Sequence, residues 1–253
     1  MPESSPSPQP DQPASAAALT GGQISTWPLA GLTEPASIEL LEIASPSSDD
    51  SLLTELLKWT GEETAPPPVV LDLYGTLVVW TPTRVAVAAS PDRLPLATSA
   101  VLDFAATAAE LTQIEANITA AWPDYETDLP CGFMLHEHDP HRARELAERY
   151  RRAMSLAGRL TRISPCIHQP LKHPPTLASQ IGERLRDRCR LADREEFASD
   201  QLELITGLYE SCGQRVSEHA IARREYVLIW VIVLLLAVEM VLLLVDLLAS
   251  AGA

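Results

Sequence analysis

The chain has 253 residues, 34 acidic against 19 basic side chains, a formal net charge of −15 and 46% hydrophobic residues. That length allows one or two modest domains, and the acidic balance argues against a phosphate-binding face, so nucleic acid is not expected as a partner. The two dense basic stretches, 141–162 and 184–194, are interleaved with Glu and Asp, as on solvated helix faces.

Residues 1–68 hold 11 of the 21 prolines. They also hold ten acids (Glu3, Asp11, Glu34, Glu39, Glu42, Asp49, Asp50, Glu55, Glu62, Glu63) against one base, Lys58, and so carry −9 of the overall −15. Such a segment buries too little apolar surface to offset its ordering entropy, and a disordered acidic arm is expected through Pro68. Two short amphipathic pieces inside it, 38–43 and 52–59, are the ones able to dock. The opening MPESSPSPQPDQP has neither the basic start and apolar core of a secretory leader nor the Arg-rich character of a mitochondrial one, so neither is expected.

A cytoplasmic α+β domain is expected over 69–175. VVLDLYGTLVVW, residues 69–80, is rich in β-formers and predicts one strand or a hairpin turning at Tyr74-Gly75. RVAVAAS, 84–90, supplies another strand. Residues 99–121 have neither Gly nor Pro and predict a helix ending at Pro123. Residues 141–163 predict a second, with Leu146, Tyr150, Met154 and Ala157 on one face, stopped by Pro165.

From residue 176 no proline recurs. Leu202, Ile205, Tyr209, Cys212 and Val216 alternate steps of three and four, an a/d seam for packing against another helix. Two readings stand: an antiparallel pair with 141–163 inside one chain, or self-association as a short coiled coil. A single long helix is expected over 176–225, bent at Gly182, Gly207 or Gly213 if anywhere.

YVLIWVIVLLLAVEMVLLLVDLL, residues 226–248, is apolar all round. A bilayer core about 30 Å thick takes roughly 20 helical residues to cross, and a transmembrane helix is expected here. Arg223 and Arg224 precede it and no charge follows Leu248, so the bulk of the chain is expected on the cytoplasmic side. Trp230 suits the interface. Glu239 falls near mid-bilayer, either as a tolerated acid or as a hydrogen-bonding contact with a partner span. The four cysteines, Cys131, Cys166, Cys189 and Cys212, form no close pair and are expected as reduced structural thiols.

Two motifs bear on chemistry. Asp72-Leu73-Tyr74-Gly75-Thr76-Leu77 resembles the first motif of haloacid-dehalogenase-like hydrolases, whose first Asp is the nucleophile. That chemistry also needs a downstream lysine, and the only lysines are Lys58 and Lys172. His136, His138 and His141, with Glu137 and Asp139, resemble the zinc motif of metallo-β-lactamase-fold enzymes with one pair of residues swapped. Equally, Asp139 can cap the next helix with Pro140 in its first turn. No catalytic residue, metal or cofactor is expected; Asp72 and the histidines are the alternatives.

LIWVIVLLLAVEM (residues 228–240) resembles the C-terminal signature of the required-for-meiotic-nuclear-division (Rmd-type) family, with Leu228, Trp230 and Glu239 matching and Ile229 in place of a Glu. YGTLVVW (74–80) is similar to that family's strand through Gly75, Val78 and Trp80. LELITGLYE (202–210) and Arg215 fall where the family has its coiled-coil approach to the membrane. The resemblance implies an α+β domain on a C-terminal anchor with no established catalytic residues, in the inner membrane of mitochondria for eukaryotic relatives. The 17 Arg against 2 Lys points to a bacterial cytoplasmic membrane. The expectation is a mostly helical α+β, non-enzymatic, single-pass scaffold, with the bilayer, an unidentified cytoplasmic protein and a second copy or another membrane protein as partners.

Overall fold

The computed structural model describes residues 22–29, 36–44, 50–61, 67–132, 140–169 and 175–251, excepting the side chains of 140–141, 215–224 and 241–251. The elements in chain order are β1 (Gln23–Leu29), β2 (Ala36–Ala44), α1 (Asp50–Thr60), β3 (Val69–Leu73), β4 (Thr76–Trp80), β5 (Arg84–Ala89), α2 (Leu94–Asp128), a 3-10 turn (Leu129–Gly132), α3 (Pro140–Ile167), α4 (Leu177–Arg188) and α5 (Leu191–Ala251). The fold is α+β and mostly helical, as expected.

The five strands form one mixed sheet in the order β1-β2-β5-β4-β3. Only the β2–β5 pair is parallel. The β3–β4 hairpin closes through Tyr74 at φ 54° and Gly75 at φ 76°, the two positive-φ positions that a primed two-residue turn requires. One sheet face, with Leu41, Ile43, Leu77, Val79, Ala86 and Ala88, packs on Leu56 and Trp59 of α1. Arg84 lies over the Trp59 indole, 5.6 Å from its centroid. On the other face, Thr98 of α2 donates to Glu42 at 2.7 Å, and Trp80 meets Phe104 edge to face at 4.9 Å.

This corrects the extent of the acidic arm. β1, β2 and α1 all fall within 1–68, and Ile38, Leu40, Leu41 and Leu56 are at most 1% exposed. The two docking pieces, 38–43 and 52–59, are the core of β2 and α1. Their charges are absorbed locally: Arg84 Nε donates to Glu39 at 2.7 Å, and its Nη1 to the Trp59 carbonyl at 3.0 Å. Residues 1–21 lie outside the described residues.

The chain divides into two compact units, Met1–Asn117 with Gly158–Ser199, and Ile118–Ala157 with Asp200–Ala253. In the first unit, α2 buries Ala97, Val101, Phe104, Ala105, Leu111 and Ile114.

Three helix ends also differ from expectation. α2 runs through Pro123 to Asp128. Proline forgoes one backbone bond; around it Thr127 Oγ1 donates to the Pro123 carbonyl at 2.8 Å and Trp122 Nε1 to Gln201 at 3.0 Å. α3 likewise passes Pro165, with Ile163 and Ile167 buried on either side. Its buried face is Leu146, Ala153, Leu160, Ile163 and Ile167, whereas Met154 is 48% exposed.

The third difference is a break before the long helix. Thr176 and Ser179 form a capping box that starts α4. Cys189 N–H donating to Leu185 O at 2.9 Å, and Arg190 N–H to Asp187 O at 3.1 Å, close it. Arg190 takes φ 52°, and its Nε donates to Asp193 at 2.8 Å. Leu185 and Leu191 are both fully buried. On one straight helix they would sit about 120° apart; the break brings both inward. α5 then runs unbroken through Gly207 and Gly213 to Ala251.

Candidate functional site

The feature of α5 that no globular packing explains is its exposed oil. All residues from 225 to 240 are exposed, with Tyr226 at 66%, Trp230 at 63%, Leu234 at 65% and Met240 at 70%. Contiguous apolar exposure on this scale marks a contact with lipid or with another protein. Glu239 lies within it, also exposed. The helical backbone continues past Met240.

Among the described residues, one helical stretch meets a bilayer's requirement by length and composition alone. It is Leu94–Gly132, with mean hydropathy 1.2 and half of its most apolar part buried. Burial separates the two apolar helices: the first part of α2 lines the core under the sheet, whereas 225–240 in α5 has no such cover.

In the second unit, α5 meets α2 and α3 through a buried charge cluster. Asp128 is fully buried. It accepts from Arg142 and from Arg149, the latter at 2.5 Å. Arg149 also reaches Asp124 at 3.1 Å. Tyr209 of α5 is buried beside them, and its phenol is held well above its ordinary value, by burial first and by the Asp128 carboxylate second. The Arg142 guanidinium is raised by its side-chain hydrogen bond to Cys131 and by Asp128. Such networks hold a packing arrangement when every member is paired.

Two more ion pairs serve the first unit. Arg159 Nε donates to Glu110 at 2.8 Å and its Nη2 to Gln113 at 2.7 Å. Arg194 binds Glu115 at 2.5 Å, which raises its guanidinium above the usual range. The residues Asp128, Glu110 and Glu115 were not singled out in sequence. The signal that could have found them is an acid inside an otherwise apolar helix followed by two Arg-rich helices.

The candidates named in sequence are placed as follows. Leu202, Ile205, Tyr209 and Cys212 are at most 4% exposed, so the chain's own packing covers this part of the seam. These four positions are therefore covered within the chain. The side chains of Val216, Arg223 and Arg224 lie outside the description. Asp72 is exposed on β3, an edge strand paired antiparallel to β4 opposite Leu77. His136 and His138 lie outside the described residues, as does the His141 side chain. No group of three metal-ligating side chains occurs among the described residues.

The four cysteines form no disulfide, and burial pushes the Cys189 thiol up, away from the reactive thiolate. In the first unit, a cleft of about 400 Å³ is lined by Asp103, Cys166, Ser179 and Arg186. Arg186 there donates to the Gln169 carbonyl at 3.2 Å.

The chain matches no family model, no curated protein and no solved structure.

Proposed function

We propose that this chain is a non-enzymatic, single-pass membrane scaffold. Residues 226–248 cross the bilayer, and the sheet-bearing α+β part stands on the cytoplasmic side, where it presents a surface to protein partners. The observation that carries the reading is the run of exposed side chains at 226–240, apolar except for Glu239, on an unbroken helix. Twenty-three residues at about 1.5 Å each reach roughly 34 Å, enough for the hydrocarbon core. Arg223 and Arg224 before the span support the cytoplasmic placement. A bacterial cytoplasmic membrane, or the mitochondrial inner membrane in a eukaryote, is the proposed location.

Kinship with the required-for-meiotic-nuclear-division family belongs to the same proposal. Its support is the set of matching residues: Leu228, Trp230 and Glu239 in α5, and Gly75, Val78 and Trp80 in the β3–β4 hairpin.

Proximity labelling tests the scaffold role. The full chain is expected to mark a reproducible set of cytoplasmic proteins over a control that carries residues 220–253 on an unrelated domain. Identical labelling by the two contradicts the role.

A further inference from the structure

α5 carries two surfaces with different fates. Leu202, Ile205, Tyr209 and Cys212 are covered by the chain itself. Residues 225–240 are exposed on every side, and here the acids of the span fall on one stripe. Steps of three and four from Glu239 lead back to Leu235, Ile232 and Leu228, and onward to positions 242 and 246, a Leu and an Asp. The helix is unbroken through this region, so Glu239 and Asp246, two turns apart, share a face. The other positions of 226–248 are aliphatic or aromatic apart from the thioether of Met240.

By rise per residue, Glu239 lies roughly 20 Å from the start of the span and about 14 Å from its end. Hydrocarbon offers no water to a carboxyl group at that depth, so it stays only if it turns away from lipid or finds a hydrogen-bond partner. No element among the described residues covers it. A second copy entering the bilayer from the same side places its own Glu239 at the same depth. A carboxyl pair that holds a proton is self-complementary, one O–H donating to the facing oxygen. A two-fold contact also needs only one patch, repeated.

We propose that the span self-associates in parallel along Leu228, Ile232, Leu235 and Glu239, with the two Glu239 carboxyl groups hydrogen-bonded across the two-fold axis. This rests on the anchor reading above, and it moves self-association from the buried seam to the lipid-facing stretch.

The test uses the full chain in mild detergent, as wild type, Glu239→Leu and Glu239→Gln. Energy transfer between labelled copies is followed across protein-to-detergent ratios, and carbonate extraction of each variant from membranes runs in parallel. Wild type is expected to associate reversibly. Glu239→Leu should weaken association about tenfold, whereas Glu239→Gln, which keeps a donor and an acceptor, stays within about threefold. All three should resist carbonate. A carbonate-resistant wild type that is monomeric at every ratio overturns the proposal and leaves the anchor standing. So does a Leu variant that associates like wild type, or a span that cross-links in membranes only to a different protein. Release of wild type by carbonate removes the anchor itself, and the proposal with it.

Discussion

Asp128 and Arg149 meet at 2.5 Å, the carboxylate fully shielded and the guanidinium side chain still 20% exposed. That asymmetry governs what happens when the pair is broken. In Asp128→Ala, Arg149 and Arg142 lose their shared partner, yet both can recover some water. The cost should be about 2–4 kcal/mol, below the top of the range for fully buried pairs. Asp128→Asn, which keeps an acceptor, should cost about half as much. Denaturant melts of the full chain in mild detergent check both values.

Tyr209 gives the same cluster a pH signature. Its phenol titrates higher in the folded chain than its ordinary value near 10. A group raised on folding contributes stability that is complete below the unfolded value and lost as pH climbs through the folded one. Melting temperature should therefore fall above about pH 10 more steeply in wild type than in Tyr209→Phe. The two slopes should agree below about pH 9, where the phenol is neutral in both states.

Tyr74 sits at φ 54° with its side chain 69% exposed. A bulky side chain gains nothing there to offset the left-handed backbone. Tyr74→Asn, which tolerates that region, should stabilise by about 0.5–1 kcal/mol. A rise in the thermal midpoint checks it.

Leu40 is fully buried in β2, inside what its composition marks as a disordered arm. Leu40→Ala should cost about 2–5 kcal/mol. A chain beginning at residue 46 should lose the cooperative unfolding of the sheet-bearing unit, because β5 would then lack its parallel neighbour. Circular dichroism melts of the two variants distinguish an integral strand from a dispensable one.

Much of the fold was legible because short-range signals agreed with the final packing. VVLDLYGTLVVW allowed one strand or a hairpin at Tyr74-Gly75, and the a/d spacing at 202–216 called for packing against a helix, in the same chain or a second copy. The failures share a cause: each depended on a partner distant in sequence. Glu39 and Glu42 read as acids of a disordered arm until Arg84 and Thr98 arrive from later elements. Pro123 and Pro165 read as stops because their tolerance depends on packing around them. The break at Arg190 has neither Gly nor Pro to signal it. The charge cluster around Asp128 was invisible because its members come from three helices. The apolar run at 226–248 was the clearest sequence feature, since apolar length is a local property.

The proposed lipid placement of residues 226–248 is open to a direct fractionation. Membranes from cells expressing the full chain are washed with alkaline carbonate and sedimented, beside membranes from cells expressing a chain that stops at Arg224. The full chain should remain in the pellet and the shortened one should appear in the supernatant. A full chain recovered in the supernatant as a monodisperse, detergent-free species would contradict that placement and would mean that residues 225–240 are covered by protein.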